Sequence, residues 1–251
     1  MNLMEFVGQT KLVEELLAVI SNRGRWNIIL RGHYGFGKTT LALLIAGMFG
    51  FFSYQVPDNG TVAMAREASI QVVDEAHLVN KFEALYKSMD KKNFIFCTNM
   101  GSRLPEPFMS RCFVYRLSPY TTRELAEVVS VHARLEGTPL DGTVCKFIGD
   151  RAKGVPRNAV KLMERYVALC KARGHQYTHE TVAKVFDGFG IDEMGLNEID
   201  RSYLTAVSTH PKSQKTLMAV LDLDQLEMER VEHHLIQQGL IHITSRGRLA
   251  I

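Results

Sequence analysis

The eight residues Gly32-His33-Tyr34-Gly35-Phe36-Gly37-Lys38-Thr39 fit the spacing G-x-x-x-x-G-K-[ST]. A loop of this kind turns its backbone N–H groups inward around phosphates, sends a lysine to the β and γ oxygens and offers a hydroxyl to Mg²⁺. Lys38 and Thr39 hold those two positions, so the expected chemistry is binding of a nucleoside triphosphate with magnesium. A second candidate is Asp74-Glu75, at the end of the apolar run Ile70 to Val73. Asp74 is suited to hold Mg²⁺ through water, and Glu75 to polarise an attacking water. Alone, such an acid pair is most often a solvated strand end; beside a phosphate loop it reads as a hydrolytic pair.

These residues need a frame that brings them together. Asn27 to Leu30 is a short apolar run ahead of the loop, and Thr39 to Phe49 is apolar on a helical period after it, which gives strand, loop, helix. An earlier helix is expected over Thr10 to Asn22, with Thr10 as its cap. Phe51 to Val56, Ile70 to Val73, Phe94 to Thr98 and Phe113 to Leu117 have the length of buried strands. Strands alternating with helices imply an α/β fold around a parallel sheet, where ligands sit at the carboxyl ends of strands.

After Leu117 the pattern becomes helical. Thr121 and Glu124 form a capping box, and Leu125, Val128, Val129 and Leu135 mark a buried helix face. Helices over Val144 to Arg151, Pro156 to Ala172 and Thr178 to Asp187 follow, and Gly188 to Gly195 reads as a hinge. Helical segments near Glu198 to Ser208, Gln214 to Leu221 and Asp224 to Gln238 then lead into two short runs meeting at Ser245-Arg246-Gly247, the plan of a winged helix-turn-helix. The expected domains are 1–118 for nucleotide binding, 119–190 for a helical lid and 191–251 for the winged helix.

In that last unit, Asp224 to Gln238 takes the place of a recognition helix, with Glu227, Glu229 and Glu232 on its exposed side. Those acids disfavour deep major-groove reading. Arg246 and Arg248 flank Gly247 at the hairpin tip and are the candidate DNA contacts, shape-based and sequence-tolerant. His233-His234 reads as helix surface, because adjacent helical residues do not share a face.

Composition excludes several classes. With 46% hydrophobic and 23% charged residues the chain is an ordinary folded protein rather than a disordered one. No apolar run is long enough for a membrane span and Met1 to Ile20 carries too many charges for a signal peptide, so a cytoplasmic protein with no membrane partner is expected. Cys97, Cys112, Cys145 and Cys170 lack zinc or redox-pair spacing. The net charge of +3 permits nucleic-acid contact by local patches without arguing for it.

With these residues in view, the chain resembles AAA+ ATPases, and among them the RuvB family of Holliday-junction branch-migration motors. Phe6-Val7-Gly8-Gln9 is similar to the family's box near the adenine, Gly35-Phe36-Gly37-Lys38-Thr39-Thr40-Leu41-Ala42 and Asp74-Glu75-Ala76-His77 to its Walker motifs, and Gly154-Val155-Pro156-Arg157 to its sensor-2 motif. Gly195-Leu196 through Asp200, Leu235 to Leu240 and Ser245-Arg246-Gly247-Arg248 resemble its winged helix. The resemblance implies nucleotide contacts from Val7, Gly35, Phe36, Gly37, Lys38, Thr39, Thr40 and Arg157. It makes Asn99 the sensor-1 amide and Arg111 the arginine finger acting on a neighbouring subunit's ATP. It further implies ATP and Mg²⁺ as cofactors, a homo-oligomeric ring or spiral, with a hexamer expected, and duplex or branched DNA as the partner.

Two departures qualify it. Between Glu75 and Asn99 there is room for one helix and a strand, but not for the hairpin with which the family grips its junction-binding partner RuvA. Ser110-Arg111-Cys112 looks more like the S-R-C motif of polymerase clamp loaders, and residues 57–68 are short for the family, as in a pared-down bacterial or phage-encoded ATPase. Beside the branch-migration or helicase motor, two readings therefore stay open: a clamp-loader-like switch that recruits a replication or recombination protein, and a DNA-binding adaptor that uses ATP only to assemble.

Overall fold

The computed structural model describes residues 3–22 and 24–251. Helix α1 (Thr10–Asn22) leads to β1 (Asn27–Arg31), the phosphate loop and α2 (Lys38–Gly47). Then come β2 (Phe52–Gln55), β3 (Ile70–Val73), α3 (Glu83–Met89), β4 (Asn93–Thr98), α4 (Glu106–Met109) and β5 (Phe113–Arg116). The sheet order is β2-β3-β4-β1-β5 with every pairing parallel. The inner strands β1, β3 and β4 are largely apolar and buried on both faces because helices cover both, whereas the edge strands β2 and β5 are partly exposed. Ile28 and Leu30 join Leu41, Ile45, Val72, Ile95 and Cys97 on one side, while Ile29, Val73, Phe94, Phe96 and Phe108 fill the other.

The lid consists of α5 (Thr122–Leu135), α6 (Gly142–Asp150), α7 (Pro156–Arg173) and α8 (His179–Gly188) around its own core of Leu125, Val129, Ile148, Met163, Tyr166 and Phe186. The Thr121–Glu124 capping box is present at the start of α5. Leu135, expected on the buried face, is instead half exposed, because it lies in the last turn, beyond the reach of the neighbouring helix. The Gly188 to Gly195 segment is also not a loose hinge. Arg201 donates to Gly190 O at 2.9 Å and Leu196 O at 2.8 Å, and Asp192 Oδ1 accepts from Met194 N and Leu196 N.

The remaining unit has α9 (Glu198–Ala206), α10 (Gln214–Leu221), α11 (Gln225–Gln237) and the antiparallel hairpin of β6 (Ile241–Thr244) and β7 (Gly247–Ala250). Lys212 bridges Arg248 in the manner of a third short strand, and Gly247 (φ 131°) is required there because a Cβ would meet Lys212 O at 2.3 Å. Lid and winged helix are tied by an ion pair between Lys153 and Asp200, whose side chain is fully buried. Beside it His234 is 3% exposed with no partner for either ring nitrogen among the described residues, so the expectation of a surface histidine is corrected: it lies on the side of α11 that carries the buried Leu235 and faces Lys153 and Asp200, while Glu229 and Arg230 stay exposed.

Burial, followed by the Lys153 charge, lowers the His234 pKa to about 4. Unfolding raises it to the ordinary value near 6.5, so the unfolded chain binds the extra proton between those two values and stability falls as pH drops through that window. At about 1.4 kcal/mol per unit the loss is at most about 3 kcal/mol. Urea unfolding of wild type and His234→Leu at pH 7 and pH 4.5 should show a smaller loss on acidification in the variant; equal losses would contradict this placement of the ring.

Candidate nucleotide site

Because β1, β4 and β3 are parallel neighbours, everything that follows their carboxyl ends lies along one edge. Arg31 pairs with Thr98 and Val73 with Phe96, so the phosphate loop, Asn99 and Asp74-Glu75 are brought side by side from distant parts of the chain. The loop's Gly35 and Gly37 sit at φ 77° and 87°. Gly35 also meets the lid: an added Cβ would lie 2.7 Å from Val155 Cγ1 and 2.9 Å from Arg157 Cβ. Arg157 N donates to Gly35 O at 3.3 Å, which places the sensor-2 segment directly on the loop.

Lys38 is 8% exposed and its ammonium donates to the carbonyls of Gly32 (2.9 Å) and His33 (3.0 Å). Burial lowers its pKa, an effect opposed by Cys97, Glu75 and Asp74. Thr39 Oγ1 donates to Asp74 Oδ2 at 2.8 Å, and Tyr54 Oη, reaching over from the edge strand β2, donates to the same oxygen at 3.2 Å. Glu75 stands at φ 48°, a left-handed conformation that a non-glycine residue adopts at some cost. Its Oε2 lies 3.4 Å from His77 Nδ1, which is also 3.2 Å from Thr98 Oγ1. Asn99 Oδ1 is buried without a hydrogen-bond partner, an acceptor held ready at the strand end.

Val7 and Thr40 line a small cavity with Phe6, Gly37, Tyr120, Val128 and Pro156, on the flank of the loop away from Asp74. Phe36 is buried, and its carbonyl accepts from Tyr120 Oη at 3.3 Å. Arg157 is exposed and faces a larger cleft with His33 and Tyr34. The structure thus gathers Val7, Gly35, Phe36, Gly37, Lys38, Thr39, Thr40, Asp74, Glu75, Asn99 and Arg157 around one loop. Arg111 is the exception. It lies at 4.5 Å over the Tyr86 ring and shares a depression with Trp26 and Asn27, at the opposite end of β1 from Lys38. A five-residue strand at about 3.3 Å per residue separates the two ends by roughly 16 Å.

The winged helix departs most from expectation. Arg248 is not free for DNA: its Nε donates to Glu232 Oε1 at 2.7 Å and its Nη2 to Oε2 at 3.2 Å, while Tyr203 Oη donates to the same carboxylate at 2.9 Å. Glu232 is correspondingly 7% exposed instead of lying on an outer face. A wing strand that packs on α11 must turn alternate side chains inward, and Arg248 is one of those. Arg246 remains exposed at the tip. Helix α11 is itself engaged, since His233 stacks on His33 with centroids 4.1 Å apart and Arg230 lies 5.8 Å over Tyr34. Tyr54 and Arg230 lie in no sequence motif, and His77 only closes the run Asp74-Glu75-Ala76-His77, so none of the three is marked as a site residue by its local sequence.

The "Holliday junction branch migration complex subunit RuvB 2" of Synechococcus sp. (strain JA-3-3Ab) is 30% identical to this chain over 292 positions, covering 98% of the chain and 79% of that protein. The chain belongs to the RuvB family. The family's domain described as "RuvB C-terminal winged helix domain" matches residues 193–250. The RuvB subunit of Fervidobacterium nodosum is 29% identical, over 99% of this chain and 84% of its own length. The solved Thermotoga maritima RuvB Holliday junction branch migration motor superposes with a TM-score of 0.83 at 25% identity, over 100% of this chain and 94% of that one. The fold is that of a RuvB-like AAA+ ATPase, with parallel sheet, helical lid and winged helix, and the site is a nucleotide site. An alignment of 292 positions exceeds the 251 residues here, so RuvB relatives carry segments with no counterpart. Between β3 and β4 this chain holds a 3-10 turn and α3 but no strand.

Replacing Arg248 by Ala would leave the Glu232 carboxylate buried without its cation. Breaking such a pair is strongly destabilising, and with the arginine partly exposed the expected loss is about 2 kcal/mol. Chemical unfolding of Arg248→Ala followed through the winged helix should show it, whereas Arg246→Ala should unfold like wild type. Equal stabilities for both variants would return Arg248 to the surface.

Proposed function

We propose that the chain is the ATP-hydrolysing subunit of a homo-oligomeric ring that drives branch migration of Holliday junctions. The observation that carries this reading is the joint presence of an intact hydrolytic edge, Lys38, Thr39, Asp74, Glu75 and Asn99, and near full-length similarity to branch-migration subunits. The relatives that this chain matches along nearly its whole length are branch-migration subunits, which supports the motor over the clamp-loader and adaptor readings.

In this reading the loop amides and Lys38 hold the triphosphate, and Val7 and Thr40 bound the adenine. Glu75 accepts the proton of the attacking water, and Asn99 orients that water or the γ-phosphate. The Thr39 hydroxyl and Asp74 carboxylate, hard oxygen donors already 2.8 Å apart, suit Mg²⁺, which when bound supplies charge neutralisation at the β and γ oxygens. Arg157, seated on the loop from α7, passes the nucleotide state to the lid. Arg111 is too far from its own loop to serve it, which supports an action on the neighbouring subunit. A ring then follows from the chemistry, since each site is incomplete without the next copy.

On the DNA side, Arg246, exposed at the wing tip, with Lys212 bridged to the neighbouring Arg248, supports contact with the phosphate backbone rather than with base edges. With no hairpin between β3 and β4, a partner of the RuvA type would need another foothold. Work in the cytoplasm of a bacterial or phage-infected cell fits this role, and among the described residues no helix is long and apolar enough to cross a membrane.

ATP turnover should rise when four-way junction DNA is added to wild type and should fall by about a hundredfold or more in Glu75→Gln, in line with the loss of a general base. No turnover in wild type with any DNA would leave the adaptor reading. Mixtures of Arg111→Ala and Glu75→Gln subunits should recover part of the activity that neither shows alone, because intact base and intact finger then meet at some interfaces. Absence of recovery at every ratio would argue against action in trans.

A further inference from the structure

The cleft between the phosphate loop and the winged helix encloses about 370 Å³ and is faced by His33 and Tyr34 from the loop, Arg157 and Lys161 from α7, and Arg230 and His233 from α11. Its charges are unbalanced. Of its carboxylates, Asp200 is taken by Lys153 and by the amide of Asn197, and Glu227 accepts from Asp224 N in a capping box. Arg157, Lys161 and Arg230 have no carboxylate partner among the described residues. Three exposed cations without carboxylate partners along an open cleft beside a phosphate loop suit a compact polyanion, and the cleft is far too small for a DNA duplex.

Arg230 is the cation whose origin is unexpected, because it comes from the DNA-binding unit. Its guanidinium lies 5.8 Å from the centre of the Tyr34 ring, and the Lys38 ammonium lies 5.9 Å from that same centre. One aromatic ring is therefore shared by the loop's phosphate-binding lysine and the arginine of α11. The helix is held in this position by the stack of His233 on His33, with rings 17° from parallel. Burial lowers the pKa of both imidazoles, which keeps the stacked rings neutral.

We propose that Arg230 is a phosphate-binding residue of the nucleotide site, supplied in cis by the winged helix, and that it engages the terminal phosphate of a bound triphosphate. This rests on the reading of the chain as an ATPase. A diphosphate lacks that terminal group, so Arg230 discriminates between ATP and ADP, and the γ-phosphate adds to the His233–His33 stack a second tie between α11 and the loop, which hydrolysis removes. Nucleotide state would then reach the DNA-binding unit directly, in parallel with the route through Arg157 and the lid.

The test is titration of the intact chain with N-methylanthraniloyl ATP and ADP in magnesium buffer, for wild type, Lys38→Ala, Arg230→Ala and Arg230→Lys. Arg230→Ala should weaken ATP by about tenfold, the scale of one charge-assisted hydrogen bond, and ADP by less than about twofold. Arg230→Lys should recover part of the difference, which a loss of folding would not allow. If wild type binds neither nucleotide, the ATPase reading itself fails. If wild type binds both and Lys38→Ala abolishes binding, but Arg230→Ala keeps the wild-type ratio of ATP to ADP affinity, the nucleotide site stands and Arg230 has no part in it. Weakened junction-DNA binding with that ratio unchanged would likewise overturn the proposal and assign Arg230 to DNA.

Discussion

The parallel pairing of β3, β4 and β1 is the constraint on which the site depends. None of the groups around Lys38 is close to Asp74 or Asn99 in sequence, and no local interaction could bring a hydroxyl and a carboxylate to 2.8 Å across 35 residues. The register does it: once Val73 lies beside Phe96 and Arg31 beside Thr98, the three strand ends are fixed within one row. That register is secured by burial on both faces, since a slip by one residue would exchange the two apolar sets that the covering helices receive. Polar precision at the edge is thus a consequence of apolar packing a few residues back. The strained Glu75 and the unpaired Asn99 acceptor are tolerated because this frame holds them.

The same edge is where the three bodies meet. The lid touches the loop at Gly35, which has no side chain to keep Val155 and Arg157 away. The winged helix touches it through the rings of His33 and Tyr34. Lid and winged helix are joined through Lys153 and the buried Asp200, close behind the sensor-2 segment. A ligand entering the loop therefore alters a point at which each body bears on the other two. Movement of the nucleotide's terminal phosphate by a few ångströms is enough to change which contacts can coexist, because packed interfaces switch between arrangements more readily than they stretch.

The contiguous features were legible in the sequence. The phosphate loop, the acid pair, the capping box at Thr121 and the helix, helix, helix, hairpin order all declare themselves within a few residues, and the strands over 70–73 and 94–98 were found because they are short, apolar and bounded by turns. What was not legible depends on contacts between distant segments. Arg248 looked like a free wing cation because its partner Glu232 is sixteen residues away on another element, and Glu232 looked exposed for the same reason. His234 could not be recognised as buried without knowing that α11 is packed against the lid, and Leu135 could not be recognised as exposed without knowing where α6 ends. Periodicity reports which face of a helix is apolar, but says nothing about which polar side chains a second domain will cover.

These corrections alter what the terminal unit has to offer DNA. With Arg248 paired internally, Arg201 bonded to Asp192 and Arg230 turned to the phosphate loop, the free cations of the terminal unit reduce to Arg246, Lys215 and the half-buried Lys212, on a segment that is net acidic. Each phosphate neutralised adds a fixed increment to the salt dependence of binding, so a unit with so few contacts holds a duplex weakly on its own. For a static DNA reader that would be a defect. For a subunit that must advance along a backbone it is an advantage, because each step requires release, and the energy of one nucleotide cycle has to exceed the grip of one wing. In the ring proposed above, several weak wings would hold the duplex together while any one of them lets go, so that processivity would come from the number of copies and motion from the weakness of each.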